Sequence, residues 1–263
     1  MTKSFKLFIF LIVTVTHFSF SQTRIGFTVG LTNSNQLISN PEAASIRYYS
    51  SQEKSSKSKS LNGTYFGLEL ATRLNNNKEI KYGIIYSQKG QKEQITHDDF
   101  QDYPDYVDTE FTDEINYLIL PIKISFPIIE DEFTYFNFNI GTYLGFGVGG
   151  KTTLERFEHN TVFYTPPRVT EGSLFFSSTI SSRDDYETTD LIIKPYDLGL
   201  TTGFELRIKI FTVFVDYQLG FVNVNPEIVN VRSSSNDNQH NERRKNNQTL
   251  TFGVGFWPFN LNN

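Results

Sequence analysis

Residues 63–92, GTYFGLELATRLNNNKEIKYGIIYSQKGQK, alternate with a period of two on both sides of a short polar break. Phe66, Leu68, Leu70 and Thr72 take one set of positions, and Tyr65, Gly67, Glu69, Ala71 and Arg73 the other. After the break, Ile80, Tyr82, Ile84 and Tyr86 alternate with Lys81, Gly83, Ile85, Ser87 and Lys89. Side chains on a strand point to opposite faces in turn, so this is a hairpin with one apolar face. The other face mixes glycine with full charges. A chain like this must find a medium for each face, and that requirement decides its fold.

The same alternation recurs in eight stretches. TRIGFTVGL sets Ile25, Phe27, Val29 and Leu31 against Arg24, Gly26, Thr28 and Gly30. The pair above supplies the second and third. YLILPIKISF sets Leu118, Leu120, Ile122, Ile124 and Phe126 against Tyr117, Ile119, Pro121, Lys123 and Ser125. FTYFNFNIGTYLGFGVG, YDLGLTTGFELRI, TVFVDYQLGF and TLTFGVGFW continue the pattern to the C-terminal region. Short connections lie near 74–77, 127–132 and 209–210, and long polar ones over 32–62, 90–115, 149–194 and 223–247. Short turns at one end and long loops at the other predict an all-β fold, an eight-stranded antiparallel up-and-down barrel.

Two barrels suit this pattern. A soluble lipocalin-like barrel points its apolar face inward around an apolar ligand. A transmembrane barrel points that face to lipid and fills its lumen with polar groups. The glycines decide for the second. Eight strands leave just enough interior for side chains, so glycine on the inner face relieves crowding. On a water-facing exterior it would only weaken the strands. The predicted lumen charges are Arg24, Glu69, Arg73, Lys81, Lys123, Asp197, Glu205, Arg207 and Asp216, of both signs and able to pair. Aromatic residues make up 15% of the chain. Tyr82, Tyr86, Phe126, Tyr217, Phe221, Phe256 and Trp257 fall near strand ends and are expected to form the girdles at the headgroups.

Residues 1–21 read as a signal peptide: Lys3 and Lys6 precede an apolar run over 7–15, and Ser19 and Ser21 precede a cut before Gln22. Residues 22–263 are then the barrel domain. Cleavage takes the formal charge from −5 to −7, which gives nucleic-acid binding no electrostatic support. The absence of cysteine excludes disulfides, thiol catalysis and a lipidated cysteine anchor.

YGIIYSQKGQK at 82–92, INYLILPIKISF at 115–126, FNIGTYLGFGVGGK at 138–151 and DLGLTTGFELRI at 197–208 together resemble the PorT-like outer-membrane β-barrel proteins of the Bacteroidota type. The resemblance spans nearly all of the mature chain. It implies an eight-stranded barrel in the outer membrane of a Gram-negative bacterium and no shared biochemical activity. The ending departs from the usual terminal aromatic, with 260–263 following Phe259. The expected partners are outer-membrane lipid, the barrel-assembly machinery and an extracellular or envelope protein at the loops.

The connection over 90–115 carries Asp98, Asp99, Asp102, Asp105, Asp108, Glu110, Asp113 and Glu114 without a lysine or arginine among them. Carboxylate oxygens suit calcium, but the spacing fits no EF-hand. A solvated acidic loop is the simpler reading, so no metal and no cofactor are assigned. The basic residues Arg47, Lys54, Lys57 and Lys59 of the first loop and Arg243, Arg244 and Lys245 of the fourth are its expected contacts. His97, His159 and His240 stand one to a loop, which gives no base beside a nucleophile, and no catalytic residue is assigned. The resulting expectation is a non-enzymatic membrane barrel whose surface loops bind a partner or support the envelope. A small channel or export component is the alternative.

Overall fold

The computed structural model describes residues 23–39, 53–74, 77–98, 106–159, 168–177, 179–180, 191–225, 227–228 and 244–260, at several strand ends by the backbone alone. The predicted signal peptide lies outside them. Eight strands form the barrel: β1 Thr23–Ser39, β2 Glu53–Arg73, β3 Glu79–Asp98, β4 Tyr106–Glu130, β5 Thr134–His159, β6 Tyr196–Ile208, β7 Phe211–Gly220 and β8 Arg244–Asn260. Each pairs antiparallel with the next, and β8 pairs with β1, so the ring closes without an edge. Closure satisfies every ladder inside lipid, which an open sheet cannot do.

The register sets the shape. Ile25 pairs with Leu70, Leu70 with Tyr82, Tyr82 with Ile122 and Ile122 with Thr142. Thr142 pairs with Leu200, Leu200 with Leu219, Leu219 with Gln248, and Gln248 with Asn35. The circuit therefore returns to β1 ten residues above its start. That stagger on eight strands tilts them by about 45° and leaves an interior that side chains can fill.

The two faces separate as the alternation requires. Leu118, Leu120, Ile122 and Ile124 are exposed, while Tyr117, Ile119, Lys123 and Ser125 between them are buried. Phe27, Val29, Phe66, Leu68, Leu198, Leu200, Phe204, Val213, Phe252 and Val254 are also exposed. The apolar face looks outward, which is the lipid-facing arrangement. The interior core is Tyr65, Ile85, Ile115, Tyr117, Ile119, Tyr143, Ile193 and Phe214.

The short turns lie near the predicted breaks, except that β4 runs on to Glu130, so the second turn is 131–133 and not 127–132. Asn77 closes the β2–β3 turn in the left-handed conformation (φ 60°), which asparagine tolerates better than most residues. Leu74 donates its N–H to the Lys78 carbonyl across it (2.7 Å).

The long connections depart from expectation. Much of 90–115 is strand: β3 and β4 stay paired to Asp98↔Tyr106, and β4 and β5 to Tyr106↔His159. The outer face there is polar, and the inner face mixes Phe111 and Ile115 with Gln91, Glu93 and Asp113, so the alternation in hydropathy is faint, yet the backbone ladder continues. Above Phe146, β5 leaves β6 and pairs with a strand at Arg168–Phe176. A short strand at Leu191–Ile193 runs parallel to that one. Lys194 donates to the Val224 carbonyl (2.8 Å) and Val224 to the Lys245 carbonyl (2.9 Å), tying two connections to the rim. Ile193 and Val224 are buried, and the Phe176 ring lies where a side chain on Gly147 would stand, its nearest atom 2.0 Å from that Cβ position. Ile193 joins the interior core, and Leu174 and Phe176 pack against it.

Candidate functional site

The lumen carries its charges in tiers. At the turn end, Glu79 pairs with Arg24 and, at 3.3 Å, with Arg207, while Lys81 pairs with Glu205. Halfway up, Lys123 lies between Asp216 (2.9 Å) and Glu69 (3.4 Å). The Thr28 and Tyr65 hydroxyls donate to Glu69 at 3.2 and 3.3 Å. Higher again, one oxygen of Asp197 takes Lys89 at 3.5 Å, the Tyr143 hydroxyl at 3.0 Å and the Asn247 amide at 3.0 Å. The Lys89 ammonium sits 4.5 Å from the centre of the Tyr143 ring. At the outer end, Lys245 meets Glu93 at 2.8 Å. Among the described residues, these pairs join six cations to six anions along the column. Neighbouring opposite charges and hydroxyl donors offset the cost of dehydrating them.

Eight of the nine charges predicted for the lumen point into it. Arg73 does not join them. It is exposed at the turn-end rim, where it donates to Asn77 (2.6 Å) and Glu130 (2.8 Å), because β2 ends at this residue. Sequence reading did not assign Glu79, Lys89, Glu93 or Lys245 to the network. Lys89 shows the inward parity of its strand, but Glu93 and Lys245 lie on extensions read as loop. Which strands face one another across the lumen depends on the stagger, and no single strand's pattern contains that.

Trp257 corrects the girdle. It is 5% exposed and faces the lumen, whereas Tyr82, Tyr86, Phe126, Tyr217, Phe221 and Phe256 lie on the outer face. Phe256 and Trp257 are neighbours on one strand, so only one of them can meet lipid. The indole rests on Gly26, where a Cβ would stand 2.3 Å from the ring, and Arg24 and Lys81 approach it at 5.9 and 5.7 Å. Trp257 is the only tryptophan of the chain. Its fluorescence is therefore expected to resist quenching by brominated acyl chains in proteoliposomes. Strong quenching would place it on the lipid face.

The acidic stretch is corrected as well. Asp98 ends β3, and Asp108, Glu110, Asp113 and Glu114 lie on β4, not in a loop. Asp99, Asp102 and Asp105 lie outside the described residues, as does His240. Glu110 pairs with Lys92 (3.1 Å) and Lys59 (3.8 Å), and Glu114 with Lys151 (3.9 Å). Asp113 faces inward and accepts from Thr152 (2.9 Å). Lys59 thus makes the contact expected between the basic first connection and the acidic one. Among the described residues no group of three carboxylates or histidines could hold a metal ion.

A closed eight-stranded barrel, apolar outside and charge-paired inside, is an integral membrane protein that spans its bilayer with strands. The chain belongs to the family described as outer membrane protein beta-barrel domain, whose model matches residues 20–225. That family places it in the outer membrane. Two solved structures of Ail, the attachment invasion locus protein of Yersinia pestis, are similar to it. One is in complex with the heparin analogue sucrose octasulfate. They share 12% and 13% of residues with this chain, cover 90% of it and 99% of their own length, and have a TM-score of 0.34. No curated protein matches the chain.

Proposed function

We propose that this is a non-enzymatic outer-membrane protein of the PorT-like group. It is exported through a cleaved signal peptide over 1–21, inserted by the barrel-assembly machinery, and binds an extracellular or envelope protein with its outer sheet. The observation that carries this reading is the β4–β5 pairing, which passes one bulge at Asn116/Tyr117 and then keeps a single register from Asn116↔Gly149, just beyond the apolar belt, to Tyr106↔His159. A loop meant only to close a barrel needs no such ladder. Paired strands hold side chains in fixed positions, which lowers the entropy lost when a partner docks. The filled, charge-balanced lumen favours a closed barrel over a conduit.

Photoreactive residues replacing Gln94 and Thr153, which face outward on the sheet beyond the belt, test the proposal on intact cells. They are expected to form discrete protein adducts, and one replacing Ile122 is expected to form none. Absence of adducts across the sheet, or steady single-channel conductance from the purified barrel, would overturn it.

A further inference from the structure

The apolar belt is not of even height. On β5 the outward side chains stay apolar over 136–148, broken only by Thr142. On β2 the apolar run is Leu70, Leu68 and Phe66, and Thr64, Asn62 and Ser60 follow. At ~3.3 Å per residue along strands tilted by ~45°, these runs cover about 28 Å and about 10 Å. The stagger raises each successive strand by about 3 Å, so Asn62 of β2 comes level with Phe146 of β5, and Asn33 of β1 with Leu198 of β6. Where β5, β6 and the residue just past β7 offer Phe146, Leu198 and Phe221 to hydrocarbon, the closing seam offers Asn33, Asn35, Asn62, Thr64 and Gln248.

We propose that this seam face, formed by β8, β1 and β2, docks the uncharged sugar headgroup of an outer-leaflet glycolipid. Amides and hydroxyls left facing acyl chains are costly, so headgroups must descend here or another molecule must cover the patch. The patch is about 15 Å wide, three strands at ~4.8 Å, and about 10 Å tall. That is roughly 150 Å², far below the ~800 Å² each partner buries in a stable protein interface. The patch holds no charge, and the nearest lysines above it, Lys59 and Lys92, are engaged with Glu110. A neutral polyhydroxylated ring therefore fits it better than a bare phosphate. Amides supply both donors and acceptors. Asn33 already donates to Asn62 (2.8 Å) and Ser60 (3.2 Å), which aligns the row.

The chain contains no cysteine, so single replacements give clean labelling sites. Spin labels at Asn33→Cys and Asn62→Cys are compared with Phe146→Cys and Leu198→Cys at the same height. Each variant is first checked for the heat-modifiable folded band. In phosphatidylcholine vesicles the first two are expected to be open to a water-soluble nickel quencher, and the second two only to oxygen. Adding digalactosyldiacylglycerol is expected to cut nickel access at 33 and 62 and leave 146 and 198 unchanged. Hydrocarbon-like signals at 33 and 62 would overturn the proposal. So would shielding from both quenchers without glycolipid, which a second protein copy would produce, or no response to the glycolipid.

Discussion

Replacing Asp197 with alanine is expected to destabilise the barrel by about 3–5 kcal/mol, the cost of leaving a buried charge without its partner. Asp197 is fully buried, and Lys89 is 1% exposed. One carboxylate oxygen receives Lys89, the Tyr143 hydroxyl and the Asn247 amide, so a single deletion strands an ammonium and two neutral donors. Asp197→Asn keeps an acceptor of the same shape and is expected to cost less. Urea unfolding of the reconstituted protein, followed by loss of the heat-modifiable band, reads both variants. Equal stability of Asp197→Ala and wild type would mean that water reaches this tier and solvates Lys89.

Ile122→Arg is expected to cost about 2–4 kcal/mol of folding free energy in bilayers, the penalty for arginine near the midplane of a barrel's lipid face. Ile122 is 60% exposed, with the exposed residues Leu120 and Ile124 on either side of it along the strand's outer face. On a water-facing barrel the same change would lie within about 0.5 kcal/mol of neutral. The substitution therefore separates the lipid-facing arrangement from the soluble one by energy alone. Folding titrations in vesicles measure it. A neutral result would require the outer face to be wet.

The alternation of single strands carried most of the architecture. It put Leu118 and Ile122 on one face and Tyr117 and Lys123 on the other, as the structure has them. Lumen charges such as Lys123 and Asp216 were legible because a charge at inward parity in a closed barrel has nowhere else to go. Trp257 was misread because proximity to a strand end was weighed before parity. Arg73 has the right parity but stands one residue from open solvent, so position along the axis outweighed direction. The strands beyond the belt read as loop because polar side chains stand on both their faces, with Gln91, Glu93 and Asp113 buried on the inner one, which weakens the hydropathy contrast that marks a strand, while the backbone ladder needs no such contrast.

The sequence by itself determined the class of fold, the face that meets lipid and the glycine-relieved lumen, because side-chain direction in a strand has a fixed period and a closed eight-stranded ring has room for little else. Only the tertiary structure decided the pairings. Lys81 finds Glu205, and Lys123 finds Asp216, across more than 90 residues of chain, since |i−j| is 124 and 93. Those meetings depend on the ten-residue stagger of the closed ring. The stagger is a property of all eight ladders together. It also sets which belt heights coincide, and so places the amide row of the seam level with the phenylalanines and leucines of the opposite wall.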